Sequence, residues 1–66
     1  MPKKVLGIIG GGQLGSMLAS AARKINIKTI IICDDPNAPA KKFADEFILS
    51  NYNNDQKIEE FAKKVD

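Results

Sequence analysis

The sequence contains no histidine, no tryptophan and a single cysteine, Cys33, in 66 residues. One cysteine excludes an internal disulfide framework. With no histidine and one thiol, the chain has no plausible metal site and lacks the usual nucleophile and base of a catalytic triad. Cys33 lies in an apolar run and reads as a buried, inert thiol. No run approaches the ~18 apolar residues of a membrane span. Met1-Pro2-Lys3-Lys4 is not followed by a signal-peptide core, so a cytoplasmic location and no membrane partner are expected. Formal net charge is only +2, with no dense Lys/Arg block, so no nucleic-acid partner is expected. Lys41 and Lys42, or Lys63 and Lys64, read as solvated helix faces.

What is present is an ordinary globular composition, 44% hydrophobic and 27% charged. A chain this short buries only about 60% of its unfolded surface, so its stability is marginal. Val5-Leu6-Gly7-Ile8-Ile9 is an apolar run without polar alternation, as expected of a parallel strand buried on both faces, with Gly7 allowing a helix to come close. An amphipathic helix follows, from about Gln13 to Ile25. Leu14, Met17, Leu18, Ala21, Ala22 and Ile25 share one face, which predicts that face as the core side and Met17 as a core residue. Arg23 and Lys24 suit the last turn, and Asn26 can take the left-handed conformation that ends a helix.

Lys28 to Cys33 reads as a second strand, stopped by the turn-forming cluster Asp34-Asp35-Pro36-Asn37. Pro39 can open a short helix through Ala44, and Phe47-Ile48-Leu49 reads as a third strand. After the loop Asn51-Tyr52-Asn53-Asn54, a second helix runs from about Asp55 to Val65, with Ile58, Phe61, Ala62 and Val65 on its apolar face. Asn53, Asn54 or Asp55 can cap it. The order predicts an α/β fold: a Rossmann-like half-domain over residues 1–66, its three-stranded parallel sheet in the order 3-2-1 and flanked by helices. A further strand is expected beside the first, which is otherwise a bare edge. The chain therefore reads as a fragment, or as one completed by another copy, and a homodimer is expected to form through the exposed first strand or through the missing domains.

Gly10-Gly11-Gly12-Gln13-Leu14-Gly15 matches G-x-G-x-x-G between a strand and a helix. Gly10 permits the tight turn, Gly12 leaves room for a ligand, and Gly15 lets the helix pack on the sheet. The unpaired first-turn N–H groups and the helix dipole favour an anion there. A glycine turn kept only for tight packing is the alternative. Asp34, about 20 residues beyond the turn, fits the ribose-binding carboxylate of an NAD-type site or a turn residue before Pro36. Asp35 reads as solvated, and Asp45 and Glu46 as surface or capping groups. Gln13 can both donate to and accept from a sugar hydroxyl or heterocycle, or be simply exposed.

Gly7 to Gly15, Met17-Leu18, Asp34 to Ala40 and Ala44-Asp45-Glu46 together resemble 5-(carboxyamino)imidazole ribonucleotide synthase, an ATP-grasp ligase of purine biosynthesis. The resemblance covers essentially the whole chain but only the beginning of that family's N-terminal, pre-ATP-grasp domain. It implies a ligase that makes carboxyphosphate from ATP and bicarbonate. The amine of 5-aminoimidazole ribonucleotide then takes the carboxyl group, leaving a carbamate, ADP and phosphate. It implies ATP and magnesium sites in domains outside this chain, and no cofactor within it. By the same resemblance Gly12, Gln13 and Leu14 are the candidates for touching the ribonucleotide, on the phosphate-compatible turn of Gly10, Gly11 and Gly15. The family's frequent Arg after Gln-Leu-Gly is Ser16 here, which removes a cation near the turn. The fragment alone is expected to be inactive.

Overall fold

The computed structural model describes residues 4–66; the opening Met1-Pro2-Lys3 lies outside the described residues. Three strands, β1 (Val5–Ile9), β2 (Lys28–Cys33) and β3 (Glu46–Leu49), form one parallel sheet in the order β1-β2-β3. Helix α1 (Gln13–Lys24) links the first two, and a 3-10 turn (Pro39–Lys42) lies between the second and third. Helix α2 (Asp55–Lys64) follows. Ile8 pairs with Ile31, and Ile31 with Phe47, so β2 is the central strand.

The central strand carries the core on both faces. Ile31 and Cys33 join Ile8, Ala19, Ala38 and Ala40 on one side, while Ile30 and Ile32 meet Phe61 on the other. Ile31 and Ile32 are fully buried, which for such side chains contributes about 1.5–3 kcal/mol each. Gly7 lets α2 approach, because a Cβ there would lie 2.8 Å from the Phe61 ring and 2.9 Å from Val65. The predicted thiol burial holds, with Cys33 in the first cluster.

The packing of α1 differs from the sequence expectation. Its buried residues are Gly15, Ala19 and Ala22. Of the six predicted core positions only Ala22 is among them, whereas Leu14, Met17 and Ile25 are 69%, 62% and 68% exposed. Met17 is a surface residue. The reason is closeness: a Cβ on Gly15 would lie 2.6 Å from the carbonyl oxygen of Gly10. A stripe of small residues at i, i+4 and i+7 brings the helix axis near the sheet, and the bulkier stripe beside it turns outward.

Local signals explain the helix ends. Asn26 has φ 62°, its N–H bonds Arg23 O, and the Ile27 N–H bonds Ala22 O. These are the two hydrogen bonds of a Schellman ending. At the start of α2, Asn54 Oδ1 accepts the Lys57 N–H at 3.2 Å, so of the three predicted caps Asn54 is the one used. Asp45 does more than lie on the surface: its carboxylate accepts the Thr29 N–H at 2.8 Å and its own N–H donates to Thr29 O. Glu46 belongs to β3 rather than preceding it, and its carboxylate pairs with Lys64 at 3.0 Å. Asp35 accepts the Asn37 N–H at 2.9 Å, closing an Asx turn, and Lys41 lies 5.6 Å from the Phe47 ring centre.

The outer edge of β1 is partly closed. Val5 N–H donates to Asp66 Oδ2 at 2.7 Å, and Asp66 N–H donates to Val5 O at 2.9 Å. Lys4 O and Gly10 N–H turn the other way, toward β2. By alternation the N–H and C=O groups of Gly7 and Ile9 also face outward, where they meet no strand among the described residues.

Candidate functional site

The glycine turn joins β1 to α1 at the carboxyl end of the sheet, where open α/β sheets bind ligands. The glycines of the turn differ in what surrounds them. Gly10 has φ +106°, in the region disfavoured for other residues, and its N–H holds the turn to Ile32 O at 2.8 Å. Gly11 is pressed inward: a Cβ would lie 2.6 Å from Ala38 Cβ and 3.0 Å from Cys33 Sγ. Gly15 seats the helix. Gly12 alone has nothing within 4 Å of its missing side chain, and its backbone (φ −73°, ψ −162°) suits any residue. Among the described residues, no packing contact requires glycine there.

Gly12 is the N-cap of α1 and supplies no side-chain cap. The helix begins its ladder with Ser16 N–H to Gly12 O, leaving the N–H groups of Gln13, Leu14 and Gly15 without helical partners. The first turn holds no acidic residue to neutralise the positive end of the dipole. That end favours an anion by roughly 0.3–1 kcal/mol before hydrogen bonds are counted. Ile8, Ile9, Gly10, Gly12, Gln13 and Leu14, with Gly15 and Leu18, line a hollow of about 310 Å³ beside the turn. Gln13 and the exposed Leu14 are thus at the mouth of the turn with Gly12, and the three candidate contacts share one hollow.

Asp34 stands elsewhere. It lines a separate hollow of about 390 Å³ with Pro36, Leu49, Ser50, Asn51, Asn54 and Lys57, at the carboxyl ends of β2 and β3. The described residues bring together no group of three or more His, Cys, Asp or Glu side chains suited to a metal. No described helix is long and apolar enough to cross a membrane.

Tyr52 is the residue that sequence reasoning passed over. It sits on the β3–α2 loop, half exposed, with its hydroxyl 3.9 Å from where a Cβ on Gly10 would lie. Desolvation, then the neighbouring Cys33 side chain, holds its phenol above the ordinary value. The available signal was weak: one aromatic in a polar loop that leaves the carboxyl end of a strand.

Fold and turn together define a Rossmann-like α/β half-domain opening on a glycine turn. The model of the ribonucleotide synthetase preATP-grasp domain matches residues 3–66, and the chain belongs to that family. It is similar to the N5-carboxyaminoimidazole ribonucleotide synthase of Staphylococcus haemolyticus, 43% identical over 92% of this chain and 16% of that protein. It is also similar to the phosphoribosylaminoimidazole carboxylase of Candida glabrata, 44% identical over 100% of this chain and 12% of that one. Among solved structures, N5-carboxyaminoimidazole synthetase from Staphylococcus aureus complexed with ADP superposes with TM-score 0.92 at 34% identity, over 98% of this chain and 18% of that one. The chain therefore spans less than a fifth of each of these relatives.

Proposed function

We propose that this chain forms the substrate-side wall of an ATP-dependent carbon–nitrogen ligase that carboxylates 5-aminoimidazole ribonucleotide. The observation that carries the reading is Gly12. Its side-chain space is open and its backbone ordinary, which leaves the main chain there free for a ligand to approach closely. The names of the relatives supply the ligand class, a phosphorylated ribonucleotide. The N–H groups of the first turn of α1 receive its phosphate or ribose end, with Gln13 beside them to hydrogen-bond a hydroxyl. Leu14 gives the hollow an apolar side. ATP and magnesium act outside this segment; an ADP-bound relative supports the nucleotide. The chemistry they supply is the activation of bicarbonate as carboxyphosphate, while this chain's residues bind and orient the acceptor.

In the ligase carrying this segment, Gln13→Ala raises the KM for the ribonucleotide more than the KM for ATP. Equal effects on both remove Gln13 from the substrate site. Saturable NAD binding that Asp34→Ala abolishes would replace this reading by a dinucleotide site. Self-association along the open β1 edge is the accompanying proposal for that surface, and a concentration-independent monomer in sedimentation removes it.

A further inference from the structure

The segment of residues 34–40 packs beneath the glycine turn and is itself stiff. Pro36 and Pro39 each fix a backbone torsion. The Asp35 carboxylate accepts the Asn37 N–H at 2.9 Å and Asp35 O accepts the Ala38 N–H at 3.2 Å, so one exposed residue closes the loop twice. Ala38 and Ala40 are buried, and Ala38 Cβ fills the space that a side chain on Gly11 would need. The Ala40 N–H donates to Gly11 O at 3.0 Å. That bond sets a direction. In a trans peptide the C=O and the following N–H point opposite ways, and no described peptide bond is cis. With Gly11 O drawn toward the buried Ala40, the Gly12 N–H points away from it. That N–H has no hydrogen-bond partner among the described residues, and Gly12 lines the hollow whereas Gly11 does not.

We propose that Asp35 is a positioning residue for the glycine turn. It acts through Ala38 and Ala40 on the peptide between Gly11 and Gly12, and so keeps the Gly12 N–H turned outward as a donor to the bound ribonucleotide. The proposal rests on the reading of the turn as a ribonucleotide-binding wall. It gives residues 34–40 a part in binding without any contact with the ligand, because apparent affinity scales with the fraction of chains whose turn is held in the competent form.

Backbone amide exchange is followed by NMR in the full 66-residue chain, with and without 5-aminoimidazole ribonucleotide at millimolar concentration. The parent sequence is compared with Asp35→Ala and Asp35→Asn; the asparagine Oδ1 can accept the Asn37 N–H as the carboxylate does, so Asp35→Asn is the rescuing variant. The amide of Ile31, in the central strand, reports global opening. In the parent the Ala40 amide is protected, and the Gly12 amide exchanges freely until the ribonucleotide slows it. Asp35→Ala lowers the protection of Ala40 relative to Ile31 about fivefold, the scale of one hydrogen bond, and weakens ribonucleotide binding about twofold or more. Asp35→Asn restores both. If Asp35→Ala leaves either quantity at its parent value, the positioning role is overturned and the reading of the turn survives. If the ribonucleotide slows no turn amide of the parent sequence, the reading of the turn falls and the donor role of Gly12 falls with it.

Discussion

The two helices of this chain are built in opposite ways. Helix α2 presents large side chains to the sheet, the buried Phe61 with the partly buried Ile58, and it closes its N-terminus on itself through Asn54, with Asp55 in the first turn. Helix α1 presents Gly15, Ala19 and Ala22 and leaves its N-terminus without a side-chain cap or a carboxylate. Its bulky residues, Leu14, Met17, Leu18 and Ile25, face outward. A helix that serves only packing needs neither an open N-terminus nor outward leucines. The contrast separates a structural helix from one whose first turn and outer side remain available.

The largest effect is expected where α2 meets the sheet. Phe61→Ala removes the aromatic anchor of one face and should destabilise the chain by about 3–4 kcal/mol in urea unfolding. A loss under about 1 kcal/mol would mean that α2 is not anchored as described. Next comes Gly15→Ala, whose Cβ meets backbone at 2.6 Å and so cannot be relieved by a side-chain movement. It should cost about 2–3 kcal/mol, measured in the same way, against about 1 kcal/mol gained at an ordinary helix position. Asn54→Ala removes the cap of α2 and should cost about 1 kcal/mol, with earlier loss of helical circular dichroism on heating. The smallest effect belongs to the outer stripe of α1. Met17→Gln should change unfolding free energy by no more than about 0.5 kcal/mol, where a core methionine would cost several times that.

Much of this fold could be read from local chemistry. The span of β1, the apolar centre β2, the left-handed Asn26 and the Asn54 cap each depend on residues close in sequence. The buried side of α1 was not legible in the same way. Residues 14, 18, 21 and 25 and residues 15, 19 and 22 both follow helical spacing, and a hydrophobicity pattern favours the bulkier set. The decision belongs to the approach of Gly15 to Gly10 O, which is a tertiary distance. For the site, the glycine turn and its neighbours Gln13 and Leu14 were visible as a motif. Tyr52 was not, because its place beside Gly10 depends on how the loop after β3 crosses the end of the sheet. The same holds for Asp45 and Asp66, whose carboxylates complete strand edges far away in sequence.

Gly12→Ala tests the account most directly, because Gly12 is the one glycine of the turn that no packing contact among the described residues explains. Unfolding and ribonucleotide affinity are measured on the same variant of the 66-residue chain. The account predicts a stability loss under about 1 kcal/mol, the scale of an N-cap change, together with an affinity loss of about tenfold or more. A folded Gly12→Ala chain that binds the ribonucleotide as well as the parent sequence would contradict it.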